Sequence, residues 1–287
     1  MKTKTLSPSS KVGQLIGEIF EKVVINFITQ YIEVYHPDYQ ILSPKEGKKL
    51  LTMPMMGGSM RQLDTVLVPK NSHDPVALLE TKWLKDARHW NDKGAWILQL
   101  REVKKKHATI RGAAAILAGY WTEGVGIMLE SEGGIKMVLI ATDEEVYQTF
   151  QQPLDEYFGS KSFKLDAPTM RKSYIQAEDL ESFMNHLVSQ EQLPKIAETW
   201  LQFERKRDEH NNPQTGADLI KMSINELLTP LPKSPRVTKF EISLQVETGN
   251  IIYQEFEDME DLFKFIQTHS QNPDELLKLI TPKKHSK

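Results

Sequence analysis

PVALLETKWLKD, residues 75–86, reads as a buried strand with two charged residues set into it. A short apolar run bounded by turn residues is a strand signature. Side chains alternate across a strand, so Val76, Leu78, Glu80 and Lys82 share one face, and Ala77, Leu79, Thr81 and Trp83 the other. Glu80 and Lys82 are then neighbours at the C-terminal end of an otherwise apolar strand. Upstream, RQLDTVLV (residues 61–68) has the same character, with Asp64 on the face of Val66 and Val68. If the two strands pair as an antiparallel hairpin, Asp64 comes near Glu80.

Around this pair the pattern alternates between helix and strand. Residues 11–35 carry Val12, Leu15, Ile16, Ile19, Val23, Ile28 and Ile32 at steps of three and four, which predicts one long helix. Ser9 and Ser10 are candidate N-caps, and His36-Pro37-Asp38 ends the helix, because the residue before a proline avoids helical angles. A weak strand falls within residues 39–54. A second long helix is expected over about residues 95–120, and strands over residues 126–130 and 135–142. The order helix, three strands, helix, strand suggests an α/β (α+β) fold, a mixed β-sheet with helices on its faces. We place this unit at residues 1–150. Residues 151–287 read as an accessory region, mainly helical, with amphipathic stretches such as PKIAETWLQFERKR, a break at Asn211-Asn212-Pro213 and a helix GADLIKMSINELL. It also holds a β-hairpin in residues 237–256 turning at Thr248-Gly249-Asn250, then a short helix around DMEDLFKFI.

Composition excludes several classes. The 287 residues hold no cysteine, so disulfide frameworks, thiolate zinc sites and cysteine nucleophiles are out, in keeping with a cytoplasmic protein. The net charge of −3 confines any nucleic-acid surface to a local patch. MKTKTLSPSS lacks the apolar run of a secretory signal, and no stretch is apolar enough to span a membrane, so no membrane partner is expected. The histidines show no metal-ligand spacing.

Two carboxylates and a lysine at a strand end suit one chemistry well. Carboxylate oxygens are hard ligands for Mg²⁺, with Mn²⁺ as a substitute, and the Thr81 backbone carbonyl can add a third. A metal so held acidifies bound water and neutralises phosphate charge. The lysine holds the attacking water and stabilises charge building on the phosphate.

Asp64, then Glu80-Thr81-Lys82 after fifteen intervening residues, resembles the D…(D/E)-x-K signature of the PD-(D/E)XK nuclease superfamily. The resemblance covers roughly residues 10–145. It implies a restriction-endonuclease-like core and Mg²⁺-dependent hydrolysis of DNA phosphodiesters, with Asp64 and Glu80 as metal ligands and Lys82 as the catalytic lysine. Leu63 stands where the family name has proline, at a position that varies widely in the family. Many members carry a glutamate on the first helix, which points to Glu21 or Glu18. Similar nucleases often place a Gln, Lys or Arg on the second helix, which points to Gln99. Lys104 and Lys105 in REVKKKHATIR, and Lys85, Arg88 and His89 in the loop after Lys82, are candidate DNA contacts. A stand-alone chain without helicase or ATPase motifs suggests a type II restriction endonuclease, dimeric so as to cut both strands of double-stranded DNA. The alternatives are a nuclease of repair, transposition or phage defence, and a non-catalytic DNA-binding protein on the same fold.

Overall fold

The computed structural model describes residues 8–44, 51–85, 87, 90–158, 182–183, 185–187, 192–230, 239–245 and 251–271. Helix α1 (Pro8–Tyr35) is the first element, starting just before the two candidate cap serines. Its Ile16, Phe20, Val23, Val24, Ile28 and Ile32 are all buried, the recurrence that an amphipathic helix needs to cover one sheet face. Each such side chain taken from water contributes about 1.5–3 kcal/mol.

The sheet that α1 covers contains β1 (Tyr39–Leu42), β4 (Thr65–Pro69), β5 (Ala77–Leu84), β6 (Gly112–Gly119) and β7 (Ile135–Thr142), in that spatial order. The first three strands pair antiparallel, and β5, β6 and β7 run parallel, so the sheet is mixed. Two short strands, β2 (Thr52–Pro54) and β3 (Met60–Gln62), form a separate ribbon. The expected strand over residues 61–68 is therefore two strands, β3 and β4, bent at Leu63 and Asp64. Helices α2 (Trp90–Leu98), α3 (Leu100–Lys106) and α4 (Glu123–Ser131) supply Ile97, Leu100, Val103, Val125 and Leu129 to one face. The other face packs on α1, α5 (Asp143–Phe158), α6 (Gln192–Trp200) and α7 (Gly216–Leu228).

Three further sequence expectations are corrected. The long helix over residues 95–120 is two short helices followed by β6. GAAAILAG reads as helix by propensity, but all eight residues are buried. A central parallel strand covered on both faces needs a continuous apolar run, and small side chains suit helices packed on either side. Residues 126–130 lie in α4, not in a strand: Val125 and Leu129 are its buried face, and a parallel β6–β7 pair requires such a crossover. PKIAETWLQFERKR stops being helix at Trp200. Glu204–Arg207 (β8) instead pairs with Pro213–Thr215 (β9). The Asp208 carboxylate accepts the His210 and Asn212 amides, and Asn211 takes φ 64°, so local turn chemistry wins over helical periodicity.

Gly119 closes the sheet end. Its φ is 95°, and a Cβ there would lie 2.0 Å from the Leu84 carbonyl oxygen. Only glycine fits that approach.

Contacts divide the chain into residues 1–229 and 230–287. The first unit thus runs well past the boundary expected at residue 150. The physical reason is Trp200, fully buried, with its ring 6.3 Å from Phe20 and 6.2 Å from Phe150, and its Nε1 donating to Thr149 at 3.0 Å. In the second unit, β10 (Phe240–Gln245) pairs antiparallel with β11 (Ile251–Phe256), followed by α8 (Met259–Gln271), as expected. The hairpin's turn lies outside the described residues. Among the described residues no helix is long and apolar enough to cross a membrane.

Candidate active site

The β4–β5 ladder ends at Thr65 opposite Leu79, while β5 continues beside β6 to Leu84. Past Leu79, the outer edge of β5 is therefore open toward the bend that carries Asp64. Asp64 Oδ2 accepts the Thr81 amide at 3.0 Å and faces its hydroxyl at 3.4 Å. A side-chain carboxylate thus takes the place of the next strand rung. A residue's N–H and C=O point to the same edge of a strand, so the Thr81 carbonyl faces this notch as well.

Glu80 and Lys82 belong to the sheet face covered by α2, α3 and α4, by alternation from Leu78. Lys82 Nζ lies 2.6 Å from Asp64 Oδ2 and 3.0 Å from Glu80 Oε1. The three residues read from sequence converge on one ammonium nitrogen. Glu80 is fully buried, and its Oε1 also accepts from Arg61 Nη2 at 3.0 Å. Its Oε2 is buried without a hydrogen-bond partner.

Burial, then the Asp64 charge, push the Glu80 carboxyl above the usual glutamate range, against the opposing pull of Lys82 and Arg61. Burial draws Lys82 down, but Glu80 and Asp64 outweigh it and hold the ammonium above its ordinary value. Lys82 is thus a charged donor rather than a base in this setting.

Glu21 approaches from α1. Gly13, Gly17 and Glu21 recur every four residues on one face, and the first two lie against Lys85 and Trp83 of the β5 end. Burial raises the Glu21 carboxyl, followed by Asp64, with Lys82 opposing, so its charge environment is the notch itself. Glu18 is exposed on α1. Of the two glutamates, α1 turns Glu21 to the site. Gln99 is the N-cap of α3 without a side-chain capping bond, and the neighbouring Trp96 carbonyl reaches Arg61. The Lys85 stem runs along Gly13. Lys104 and Lys105 close α3, which leads to Gly112, paired with Ala77 at the far end of β5 from Lys82. The structure does not bring them to the notch. Arg88 and His89 lie outside the described residues.

Sequence reading passed over Arg61. It is 1% exposed, lies 3.8 Å beneath the Trp96 ring centroid and donates to the carbonyls of Gln62 and Trp96. Its one signal in sequence was an arginine inside an apolar segment three residues before Asp64.

Among the described residues, no three His, Asp or Glu side chains are gathered closely enough to form a metal-binding group. The hard donors at the notch are two carboxylates and the Thr81 carbonyl. Glu80 Oε2, a buried acceptor without a donor, fits a Mg²⁺ ligand.

No family model matches the chain, and no curated protein matches it. A solved structure titled "Crystal Structure of Protein of Unknown Function AF1548" aligns over 72% of this chain and 97% of its own, at 10% identity. Its TM-score of 0.27 is too low to carry a fold family or an activity.

Proposed function

We propose that this chain is a Mg²⁺-dependent endonuclease of the PD-(D/E)XK type that hydrolyses double-stranded DNA, in the manner of a type II restriction endonuclease. One observation carries the reading: Asp64 and Glu80, from separate segments, lie within hydrogen-bond distance of the same Lys82 Nζ beside an open strand edge. Asp64, Glu80 and the Thr81 carbonyl are the groups that would hold the ion. Mg²⁺ bound there supplies charge neutralisation at the phosphate and acidifies a coordinated water. Lys82 donates to the attacking water and to the phosphate oxygen on which charge builds, a role suited to its persistent protonation. Glu21 reaches the notch from α1 and orients water there. Cutting both strands calls for two such sites, hence a homodimer.

A non-catalytic DNA-binding role on the same fold is favoured by a different observation. Lys82 and Arg61 already neutralise the two carboxylates, as in a purely structural network. Incubation with plasmid and varied linear DNA, with Mg²⁺ or with EDTA, separates the two. Defined fragments lost in EDTA and in Lys82→Ala support restriction. Diffuse degradation or cutting of branched DNA points to a repair or defence nuclease, and tight binding without cleavage in any metal rejects the enzyme.

A further inference from the structure

We propose that Arg61 is a positioning residue that fixes Glu80 for cation binding, and that Trp96 holds Arg61 to that task; this rests on the metal-site reading of the notch. Arg61 comes from β3, Glu80 from β5 and Trp96 from α2. A buried arginine–carboxylate pair made for its own sake is usually bidentate, with both oxygens engaged. Here the guanidinium touches one oxygen alone. Nη2 is shared between Glu80 Oε1 at 3.0 Å and the Trp96 carbonyl at 3.2 Å, and Nη1 donates to the Gln62 carbonyl. The guanidinium is planar, its donors form a rigid fork, and the Trp96 ring covers one face at 3.8 Å. Two carbonyls and an indole therefore set the plane of the group, and that plane sets where Glu80 Oε1 stays. With Oε1 committed to Arg61 and Lys82, Oε2 is the oxygen left for a cation. Trp96 is 41% exposed, so the ring is a cover over the guanidinium rather than a core side chain.

The test titrates Mn²⁺ into the full chain without DNA, following free Mn²⁺ by electron paramagnetic resonance, with the melting temperature of each metal-free variant recorded alongside. Wild type binds, and Glu80→Gln does not. Arg61→Lys keeps the charge but loses the fork and the stacking plane, and binds Mn²⁺ roughly 10- to 100-fold more weakly, the size expected when a partner of a ligand is altered. Trp96→Leu, at a half-exposed position, weakens binding roughly two- to fivefold, in line with the loss of an exposed cation–π contact. A folded Arg61→Lys that binds Mn²⁺ as tightly as wild type overturns the positioning role. If Arg61→Lys does not fold, Trp96→Leu decides, and unchanged affinity there overturns it equally. Wild type that fails to bind, or Glu80→Gln that binds normally, removes the metal site itself and this inference with it. Unaltered affinity in the Arg61 and Trp96 variants, with Glu80 still required, removes the inference alone.

Discussion

Glu80 and Glu145 each meet an arginine, and the protein treats them in opposite ways. Glu145 opens α5 with one oxygen on Arg205 and the other accepting the Thr142 amide at 2.7 Å and hydroxyl at 3.1 Å. Burial pushes its carboxyl upward, yet the Arg205 and Thr142 hydrogen bonds outweigh it and hold it below the usual range. Glu80 is more deeply buried, has two cations on one oxygen and nothing on the other, and is raised. A carboxylate with both oxygens satisfied serves the fold. One held buried and half-satisfied beside a second carboxylate is kept at a cost that stability alone does not explain.

That contrast can be broken or sharpened by substitution. The largest effect is expected from Lys82→Ala, which removes the charged donor shared by both carboxylates and lowers plasmid cleavage by about 10²- to 10³-fold. Undiminished nicking by this variant would sink the catalytic assignment. Arg61→Met leaves Glu80 buried with Lys82 as its remaining cation, and urea unfolding should show a loss of up to about 3–5 kcal/mol. Arg205→Ala, at a pair where Glu145 is 29% exposed, costs about 1 kcal/mol or less. The two arginines would lose their distinction if these two variants unfolded at the same urea concentration. Because the Glu145 carboxyl is depressed in the fold, its contribution is present above the ordinary glutamate range and lost as pH falls through its folded value. Arg205→Ala should flatten that acid limb of the melting profile.

The smallest effect is a slope. Glu21 is raised, so its contribution is full below the ordinary glutamate value and lost as pH climbs through its folded value. Glu21→Gln removes this decline, measured as melting temperature against pH. A decline that persists unchanged in the variant belongs to another group.

Much of this arrangement was legible in the sequence. Short apolar runs between turn residues marked β4, β5 and β7, three-and-four spacing marked α1, and a polar pair in an apolar strand marked Glu80 and Lys82. What escaped depended on tertiary context. The alanines of β6 favour a helix until a strand is needed between two covered faces, and α4 is short enough for its apolar residues to pass for a strand. Arg61 drew no reading at all, because nothing local shows that Trp96 folds over it. Glu18 and Glu21 were equivalent by charge. What separates them is the helix face: Glu21 follows Gly13 and Gly17, which face Lys85 and Trp83, while Glu18 is exposed.

The Asp64 carboxylate that completes the edge of β5 has a practical corollary. The Thr81 amide proton is held by a catalytic candidate rather than by a neighbouring strand. Its exchange with solvent should therefore follow the ligation of Asp64 while the amides of the adjoining β5–β6 ladder stay silent. One backbone resonance thus becomes a spectroscopic gauge of the site, readable without substrate.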